Sequence, residues 1–248
     1  MQILQVISLL LDYPTELLHD SQNELEQIVE ASVLSDAAKN ALLAFIKNRL
    51  DKELMDWQAE YDSQFERGRS LSLLLFEHLH GESRDRGQAM VNLQAQYREA
   101  GLDISQKELP DYLPLYLEFL STQGDDNARY GLQEVAPILG LLAARLAQRD
   151  SDYQILLHTL LELSEAEIDL ADLTKQISSE QRDDTPKALD KVWEEEMVSF
   201  MSQQGENSCP SSQNRPGEGQ RRDQMVPVQF FSGMAPGQDV STTSGVLS

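Results

Sequence analysis

The chain has 248 residues, enough for one large domain or two small ones, and 42 acidic against 20 basic residues give it a formal net charge of −22. This charge repels nucleic-acid backbones and anionic lipid surfaces, so it favours a basic peptide or protein segment as the partner, although solubility alone is an equally simple explanation. The single cysteine, Cys209, excludes an internal disulfide and a thiolate metal site.

The N-terminal stretch MQILQVISLLLDYP has a short apolar run with no basic residue before it and with Pro14 soon after it. This is not the pattern of a secretory or twin-arginine leader. No segment approaches the ~20 apolar residues that a membrane-spanning helix needs. We therefore expect a cytoplasmic protein without direct membrane insertion.

Apolar residues recur with helical spacing in nearly every segment as far as about Ser202. Pro14 ends the first predicted helix, Ser35 is placed to cap another, and Gly101 follows the end of a third. The predicted helical segments of this half are residues 3–11, 15–30 (or 20–30), 36–50, 51–65, 71–80 and 87–100.

Pro110 and Asp111 open the next predicted helix, which is apolar on nearly all sides, as is usual at the centre of a bundle. Residues 124–127 predict a loop. Further helices are expected at 135–149, beginning near Pro137, at 153–163 and from Thr185 to Phe200. Strand-like alternation and hairpin turn signals are missing, so the sequence predicts an all-α fold, a single compact bundle of about eight to ten helices.

The composition changes after about Gln203. The last 46 residues hold four of the nine prolines, six of the thirteen glycines and seven serines, with little apolar periodicity. Such a segment buries too little apolar surface to fold, so a helical domain of residues 1–202 and a disordered tail of residues 203–248 are expected. The tail has four acidic and three basic residues, which leaves almost all of the net charge on residues 1–202.

Signatures of common enzymes are missing from the sequence: it has no Gly-rich strand-to-helix loop, no G-x-S-x-G elbow and no cysteine nucleophile within residues 1–202. His78 and His80 suggest a metal site, but positions i and i+2 of a helix point about 200° apart. A His-Asp dipeptide beginning at His19 is typical of helical metal-dependent phosphohydrolases. This enzyme class, with His19, His78, His80 and Asp85 as ligands, is the alternative function.

Two dense blocks point instead to recognition. The first, FERGRSLSLLLFEHLHGESRDRGQAM, runs from Phe65 to Met90 and has arginines just before and just after an apolar run, which suggests polar clusters at the two ends of one buried helix. These arginines either pair with acids of the same block or contribute to a recognition surface. The arginines are Arg67, Arg69, Arg84 and Arg86, and the acids are Glu66, Glu77, Glu82 and Asp85.

The second block, ELPDYLPLYLEFLS, runs from Glu108 to Ser121. Asp111 and Glu118 are two helical turns apart and would share one face of a helix. One interpretation is that Asp111 caps the helix while Glu118 is solvated. The other is a groove that these two acids form with Tyr112 and Tyr116, suited to a peptide with apolar anchors and a basic residue.

These blocks resemble those of the NarJ/NarW-type chaperones, which assemble molybdenum cofactor into respiratory nitrate reductase and belong to a wider, TorD-like family of redox-enzyme maturation proteins. The other matching stretches are LLLDYP (Leu9–Pro14), APILGLLAARLAQR (Ala136–Arg149) and RDDTPKALDKVWEEEMVSF (Arg182–Phe200). They occur in the family's order and cover most of residues 1–202. The match is less clear near residues 31–56 and slight after Gln203.

The resemblance implies a cytoplasmic chaperone that is not an enzyme and holds no cofactor of its own. Its client would be the apo form of the nitrate reductase catalytic (alpha) subunit, bound mainly at its N-terminal segment, kept competent for cofactor insertion and delayed from membrane docking. The family's acidic helix motif corresponds to Glu108–Phe119. The expected client-peptide site comprises Asp111, Tyr112, Leu115, Tyr116, Glu118 and Phe119 with Arg67, Arg69, Glu77, His78, Arg84, Asp85 and Arg86.

Overall fold

Apart from one isolated β-bridge, the regular secondary structure of the described part of the chain is helical, which confirms the predicted all-α fold. This computed structural model describes residues 1–80, 84–104, 108–191 and 193–194, without the side chains of His19, His80, Arg84 and Asp85. The helices are α1 (Ile3–Leu11), α2 (Glu16–Asp20), α3 (Gln22–Ala31), α4 (Asp36–Leu50), α5 (Leu54–Tyr61), a π-helix (Asp62–Glu66), α6 (Leu75–His80), α7 (Arg84–Glu99), α8 (Leu113–Thr122), α9 (Asp125–Gln148), α10 (Gln154–Ser164) and α11 (Leu170–Ile177).

Several predicted helix ends are confirmed. Pro14 lies just beyond α1, the Ser35 hydroxyl caps α4 by accepting a backbone N–H (3.3 Å), and Gly101 follows α7 with a φ of +80°. Helical backbone resumes at residue 186, within the last predicted helix. The proposed tail of residues 203–248 lies outside the described residues and stays a prediction.

The helix α9 forms the spine of the bundle, packing against α10 and α11 and contacting α6 and α8. The predicted loop at 124–127 and the predicted helix start near Pro137 are both wrong, because α9 runs unbroken from Asp125 through Pro137. A proline inside a helix costs about 3 kcal/mol. Burial of the helix on both sides of the proline, including Ala136 and Ile138, offsets this cost.

The helices α1 and α8 run antiparallel through the core. The Ser8 hydroxyl donates to the carbonyl oxygen of Pro114 (2.7 Å), and the amino group of Met1 donates to the carbonyl oxygen of Ser121 (3.2 Å). Seven of the nine residues of α1 are buried, and α8 also buries most of its side chains. The prediction that α8 is central to the bundle is confirmed.

The leucine-rich stretch from Leu71 to His80 is only partly helical, contrary to the prediction of one buried helix. The helix α6 begins at Leu75, and in the residues before it alternate side chains are buried, as in an extended strand. A short continuous apolar run fits a buried helix and a buried extended segment equally well. The extended form occurs here because residues 73–75 pair with residues 111–113.

No helix is predicted between residues 163 and 185, yet α11 lies in this stretch. The carboxylate of Asp169 caps its first turn by accepting a backbone N–H (2.9 Å). Packing on α9 takes place where Gly140 leaves room, since a Cβ there would come within 2.9 Å of a side chain in the connection before α11. The helix therefore depends on tertiary contact with the spine of the bundle.

Candidate functional site

A pair of backbone hydrogen bonds joins the two sequence blocks that predict a recognition surface. The N–H of Leu75 donates to the carbonyl oxygen of Asp111 (2.9 Å), and the N–H of Leu113 donates to the carbonyl oxygen of Leu73 (2.8 Å). We call this isolated antiparallel pairing the β-bridge. It places the start of α6 beside the start of α8 and so brings candidate residues of both blocks into one region.

Asp111 is completely buried beside the β-bridge. Its Oδ2 accepts the backbone N–H of Phe76 (3.1 Å) in the first turn of α6 and lies 3.8 Å from Nη2 of Arg86, whereas its Oδ1 has no hydrogen-bond partner among the described residues. Burial raises the pKa of the Asp111 carboxyl above its ordinary value. Asp111 does not cap α8, because Tyr112 occupies the N-cap position and the Asp111 side chain bonds to the start of α6 instead.

Arg86 connects α7 to two acidic side chains of this region. Its Nη1 donates a long hydrogen bond to Oε1 of Glu77 (3.4 Å), and its Nη2 lies 3.8 Å from Asp111. The prediction that arginines of the first block pair with acids of the same block is confirmed for Arg86 and Glu77. Both distances exceed the roughly 2.7–2.9 Å of a tight charge-assisted hydrogen bond, so Arg86 neutralises Asp111 only in part.

His78 is half-buried on α6, and its Nε2–H donates to the carbonyl oxygen of Ser72 (2.8 Å). Burial lowers the pKa of His78, and the nearby charge of Arg145 lowers it further, so the ring is neutral at pH 7. Among the side chains that the structure describes, no group of three or more His, Cys, Asp or Glu is arranged to hold a metal ion. The predicted residues whose side chains lie outside the described set are His19, His80, Arg84 and Asp85.

Tyr112 reaches from the β-bridge to the C-terminal end of α1. Its hydroxyl donates to Oδ1 of Asp12 (2.9 Å) and lies 3.3 Å from the hydroxyl of Tyr61, which donates to the carbonyl oxygen of Leu11 (2.9 Å). Tyr13 packs edge-on against Tyr61, with ring centroids 5.6 Å apart, and is 44% exposed. An exposed carboxylate, that of Asp12, therefore lies beside two tyrosines at the surface.

Asp12 and Tyr13 are not among the predicted site residues. They belong to the LLLDYP stretch, where an acid and an aromatic residue precede a helix-ending proline. This position in a loop after a helix is the feature of the sequence that could have indicated a binding role for them. Leu9, one turn earlier, is 49% exposed. We define the α1–α8 surface as the exposed or half-exposed residues Leu9, Asp12, Tyr13, Tyr112, Leu115 and Glu118.

The helix α8 divides the other candidates between core and solvent. Tyr116 and Phe119 are buried, and the Tyr116 hydroxyl donates to a backbone carbonyl of α9 (3.1 Å). Leu115 is half-buried and Glu118 is exposed. The expectation that Asp111 and Glu118 share one face is wrong, because Asp111 precedes the helix and is buried. The two acids therefore do not line one groove.

Arg67 and Arg69 lie on the turn that precedes the β-bridge, and both are exposed. Between them Gly68 has a φ of +84°. The backbone N–H of Arg69 donates to the carboxylate of Asp183 (2.7 Å), so this turn contacts the segment that follows α11. The sequence did not predict this contact.

A known class of protein shares these features, namely the two sequence blocks and the all-helical bundle. Residues 29–155 match the nitrate reductase delta subunit family. The chain belongs to this family, and the resemblance that the sequence blocks indicated is confirmed. No helix within the described ranges is long and apolar enough to cross a membrane.

Three relatives illustrate the match. The chain is 50% identical to the probable nitrate reductase molybdenum cofactor assembly chaperone NarW of Escherichia coli (strain K12). The 214 aligned residues cover 86% of this chain and 89% of NarW. It is 49% identical over 203 residues to the nitrate reductase molybdenum cofactor assembly chaperone NarJ of the same strain, over 82% of this chain and 86% of NarJ. The probable chaperone NarJ of Bacillus subtilis (strain 168) is 30% identical over 155 residues, 62% of this chain and 84% of that protein.

Proposed function

We propose that this protein is an assembly chaperone for a nitrate reductase and that it binds the apo catalytic (alpha) subunit, mainly at that subunit's N-terminal segment. It keeps the subunit competent for insertion of the molybdenum cofactor and delays its docking at the membrane. It acts in the cytoplasm, leaves before the enzyme is finished, catalyses no reaction and holds no cofactor of its own.

The similarity to NarW and NarJ carries this proposal, since half of the residues are identical over more than four fifths of each chain. The charge of the protein adds a physical reason. A net charge of −22 attracts a basic segment and repels nucleic acid and anionic lipid. Such a protein can hold a basic client segment away from an anionic membrane surface until maturation is complete.

The α1–α8 surface offers the contacts that a helical, partly basic segment requires. Asp12 and Glu118 present exposed carboxylates, while Leu9 and Tyr13 present apolar area at the end of α1. Amphipathic helices bind through a few apolar anchors, with charged groups that set orientation and association rate. Binding of this kind is moderate in affinity and reversible, as a chaperone requires.

The buried candidates have a different part in the proposed site. Asp111, Tyr116 and Phe119 are inaccessible to a peptide, so we assign them to holding α6 and α8 in position. Arg67 and Arg69 are exposed on the turn that enters the β-bridge, and they stay members of the predicted site. The remaining members of the predicted site come from the pattern of the first sequence block and stay predictions: Glu77, His78, Arg84, Asp85 and Arg86.

Calorimetry with a synthetic peptide that matches the N-terminal segment of the catalytic subunit tests the proposal. We expect saturable binding to the full chain at low salt, weakened several-fold between about 20 mM and about 0.5 M salt because exposed charges are screened. No detectable heat at low salt, supported by no complex in size-exclusion chromatography, would count against client binding.

Variants of the exposed acids test the location of the site. The double variant Asp12→Asn/Glu118→Gln should weaken the peptide about tenfold, because each lost charge contact at a solvated surface is worth about 0.5–1 kcal/mol. Glu167→Gln, an exposed acid of the connection between α10 and α11, is the matched control and should bind normally. Normal binding by the double variant would remove the α1–α8 surface from the proposal and leave the function itself standing.

A deletion strain tests the function. Without this protein, and without a paralogue that can substitute, the nitrate reductase catalytic subunit should accumulate lacking molybdenum cofactor, and complementation should restore both cofactor content and nitrate reduction. Full cofactor content in the deletion strain would overturn the proposal.

A further inference from the structure

The segment between α11 and residue 186 is attached to the bundle by polar contacts. None of the described residues from 178 to 191 is buried, so no apolar side chain there is anchored in the core. We call residues 178–184 the strap. Glu180 bonds to Arg145 of α9 through two contacts of 3.0 and 3.2 Å, and Asp184 lies 3.5 Å from Arg149.

The central attachment of the strap is the carboxylate of Asp183. Its Oδ2 accepts the backbone N–H groups of Arg69 and Ser70, both at 2.7 Å. Its Oδ1 accepts the hydroxyl of Ser70 (2.6 Å) and Nη2 of Arg149 (2.8 Å). All four donors therefore converge on one carboxylate, and they come from two separate elements of the fold.

Gly68 makes this approach possible. Its φ of +84° turns the next two N–H groups toward the same point, and a Cβ on Gly68 would lie 2.5 Å from Cγ of Asp183. Successive backbone N–H groups arranged in this way form a nest, a concavity that proteins use to bind anionic oxygens. We call the turn of residues 68–70 together with Arg149 the oxyanion pocket.

The oxyanion pocket is held in shape by contacts that do not involve the strap. Arg145 donates to the carbonyl oxygen of Ser70 (2.9 Å), and Arg149 donates to the hydroxyl of Ser70 (2.6 Å). The side chain of Arg149 is 97% buried, and its Nη1 has no hydrogen-bond partner among the described residues. The turn therefore keeps its donors aligned by contacts with α9 when Asp183 leaves.

We propose that the oxyanion pocket is a binding site for a carboxylate or phosphate group of a ligand, and that Asp183 occupies it as a displaceable substitute. When the strap leaves, three carboxylates (Glu180, Asp183 and Asp184) and Arg182 depart with it, whereas Arg145 and Arg149 remain, so the local charge changes from balanced to basic. This inference does not depend on the proposed client-binding function.

The electrostatics of Asp183 show that the oxyanion pocket favours an ionised carboxylate. Burial opposes its charge, but the hydrogen bonds from Ser70 and Arg69 and the charge of Arg149 outweigh this effect and hold the pKa of Asp183 below its ordinary value. The carboxylate is therefore ionised at neutral pH and bound by charge-assisted hydrogen bonds. Because the strap is solvated on its outer side, a competing anion can reach these donors.

Two variants of equal charge separate the pocket from the rest of the strap. In the full chain, Asp183→Ala vacates the pocket, whereas Asp184→Ala removes a neighbouring acid and leaves Asp183 in place. Inorganic phosphate and acetate are the probes, each compared with chloride at equal ionic strength. At a tenfold excess over the dissociation constant, we expect the effective probe to raise the melting temperature of Asp183→Ala by about 3–5 °C.

A saturable rise with phosphate or with acetate in Asp183→Ala supports the proposal, and the probe that acts identifies the ligand class. The rise should be missing from Asp184→Ala and smaller in the double variant Asp183→Ala/Ser70→Ala, which lacks one of the four donors. The proposal is overturned when neither probe stabilises Asp183→Ala more than chloride does, or when Asp184→Ala responds equally.

A measurement on the unaltered protein covers the case in which Asp183→Ala does not fold. Arg182 is about half exposed and lies in the strap, so tryptic cleavage after it reports release of the strap. Phosphate or acetate should accelerate this cleavage several-fold more than chloride of equal ionic strength, while general tryptic activity on an unstructured peptide stays constant. Equal rates in all three salts would exclude displacement of Asp183.

Discussion

Arg49 and Asp111 are both buried charged side chains, yet they differ in how closely oppositely charged side chains pair with them. Arg49 is 3% exposed, and its two terminal nitrogens bond to the carboxylates of Glu60 and Asp152. Asp111 is completely buried, and among the described residues it has one backbone hydrogen bond and one cation, Arg86, at 3.8 Å. A buried charge that is paired with two carboxylates fixes the structure around it, whereas a buried charge with one distant ion pair leaves the structure open to change with pH or contacts.

The surroundings of Arg49 reinforce its structural role. Its guanidinium lies over the rings of Phe45 and Tyr153, 4.9 and 4.5 Å from their centroids, and Trp57 donates to the Tyr153 hydroxyl (2.8 Å). Burial raises the pKa of Tyr153 to about 12. This corner joins α4, α5 and the start of α10. Because both terminal nitrogens of Arg49 are paired with carboxylates inside an aromatic frame, we expect this corner to be the more rigid of the two regions.

The largest expected effect is at Arg49. Arg49→Ala removes two ion pairs and the contact with two aromatic rings, and should lower the free energy of unfolding by about 2–3 kcal/mol. The loss is smaller than for a fully buried pair because Glu60 and Asp152 are partly exposed and regain water. Urea unfolding followed by circular dichroism measures it. A loss no greater than that of a surface ion pair would place the rigid corner elsewhere.

Asp111→Ala should cost about 1–3 kcal/mol, because it leaves the N–H of Phe76 without its acceptor. It should also shift α6 relative to α8, which makes this variant unsuitable as a direct test of client contact. The same urea titration measures the loss. Unchanged stability would show that Asp111 does not hold the start of α6.

Asp111→Asn gives a pH-dependent test. The folded state has the raised pKa, so it binds a proton more readily than the unfolded chain, and protonation of Asp111 favours folding. This contribution is fully present below the ordinary value of 3.8 and is lost as the pH rises through the raised pKa. The stability of the wild type minus that of Asp111→Asn should therefore decrease as the pH rises above this ordinary value. A difference that does not change with pH would contradict the partial pairing of Asp111.

The smallest effect is expected at Lys52. Its Nζ also pairs with Oε1 of Glu60 (2.6 Å), but the side chain is partly exposed to solvent. Lys52→Ala should change the free energy of unfolding by less than about 1 kcal/mol, because solvated pairs gain little. Added salt should reduce this change further. A loss equal to that of Arg49→Ala would mean that burial does not distinguish the two cations.

The helices with local signals were predictable from the sequence. Pro14, Ser35 and Gly101 mark helix ends through their own backbone chemistry, and α8 shows its central position by being apolar on nearly all sides. The errors in the predicted elements arise where contacts between residues distant in the sequence determine the local structure. Burial carries α9 through Pro137, and pairing with residues 111–113 keeps the leucine run before Leu75 extended. The spacing of Leu170, Leu173 and Ile177 was a signal for α11, but acidic neighbours obscured it.

The sequence predicted which segments form the candidate site, but it did not predict which of their side chains are exposed. The sequence indicated that the two blocks act together, and the β-bridge joins them. It did not reveal that Asp111 points inward to α6 or that Asp12 takes the exposed position beside Tyr112. The packing of α1 against α8 determines that Asp12, and not Asp111, faces the solvent. The spacing of residues within one segment does not reveal this packing.

The β-bridge joins two segments that are far apart in the sequence, because the N–H of Leu75 donates to Asp111 and the N–H of Leu113 donates to Leu73. The amides of Leu75 and Leu113, remote in sequence, are consequently protected by one pairing and should exchange with deuterium at a common rate. That shared rate would report a single opening of the β-bridge, in which the start of α6 separates from the start of α8.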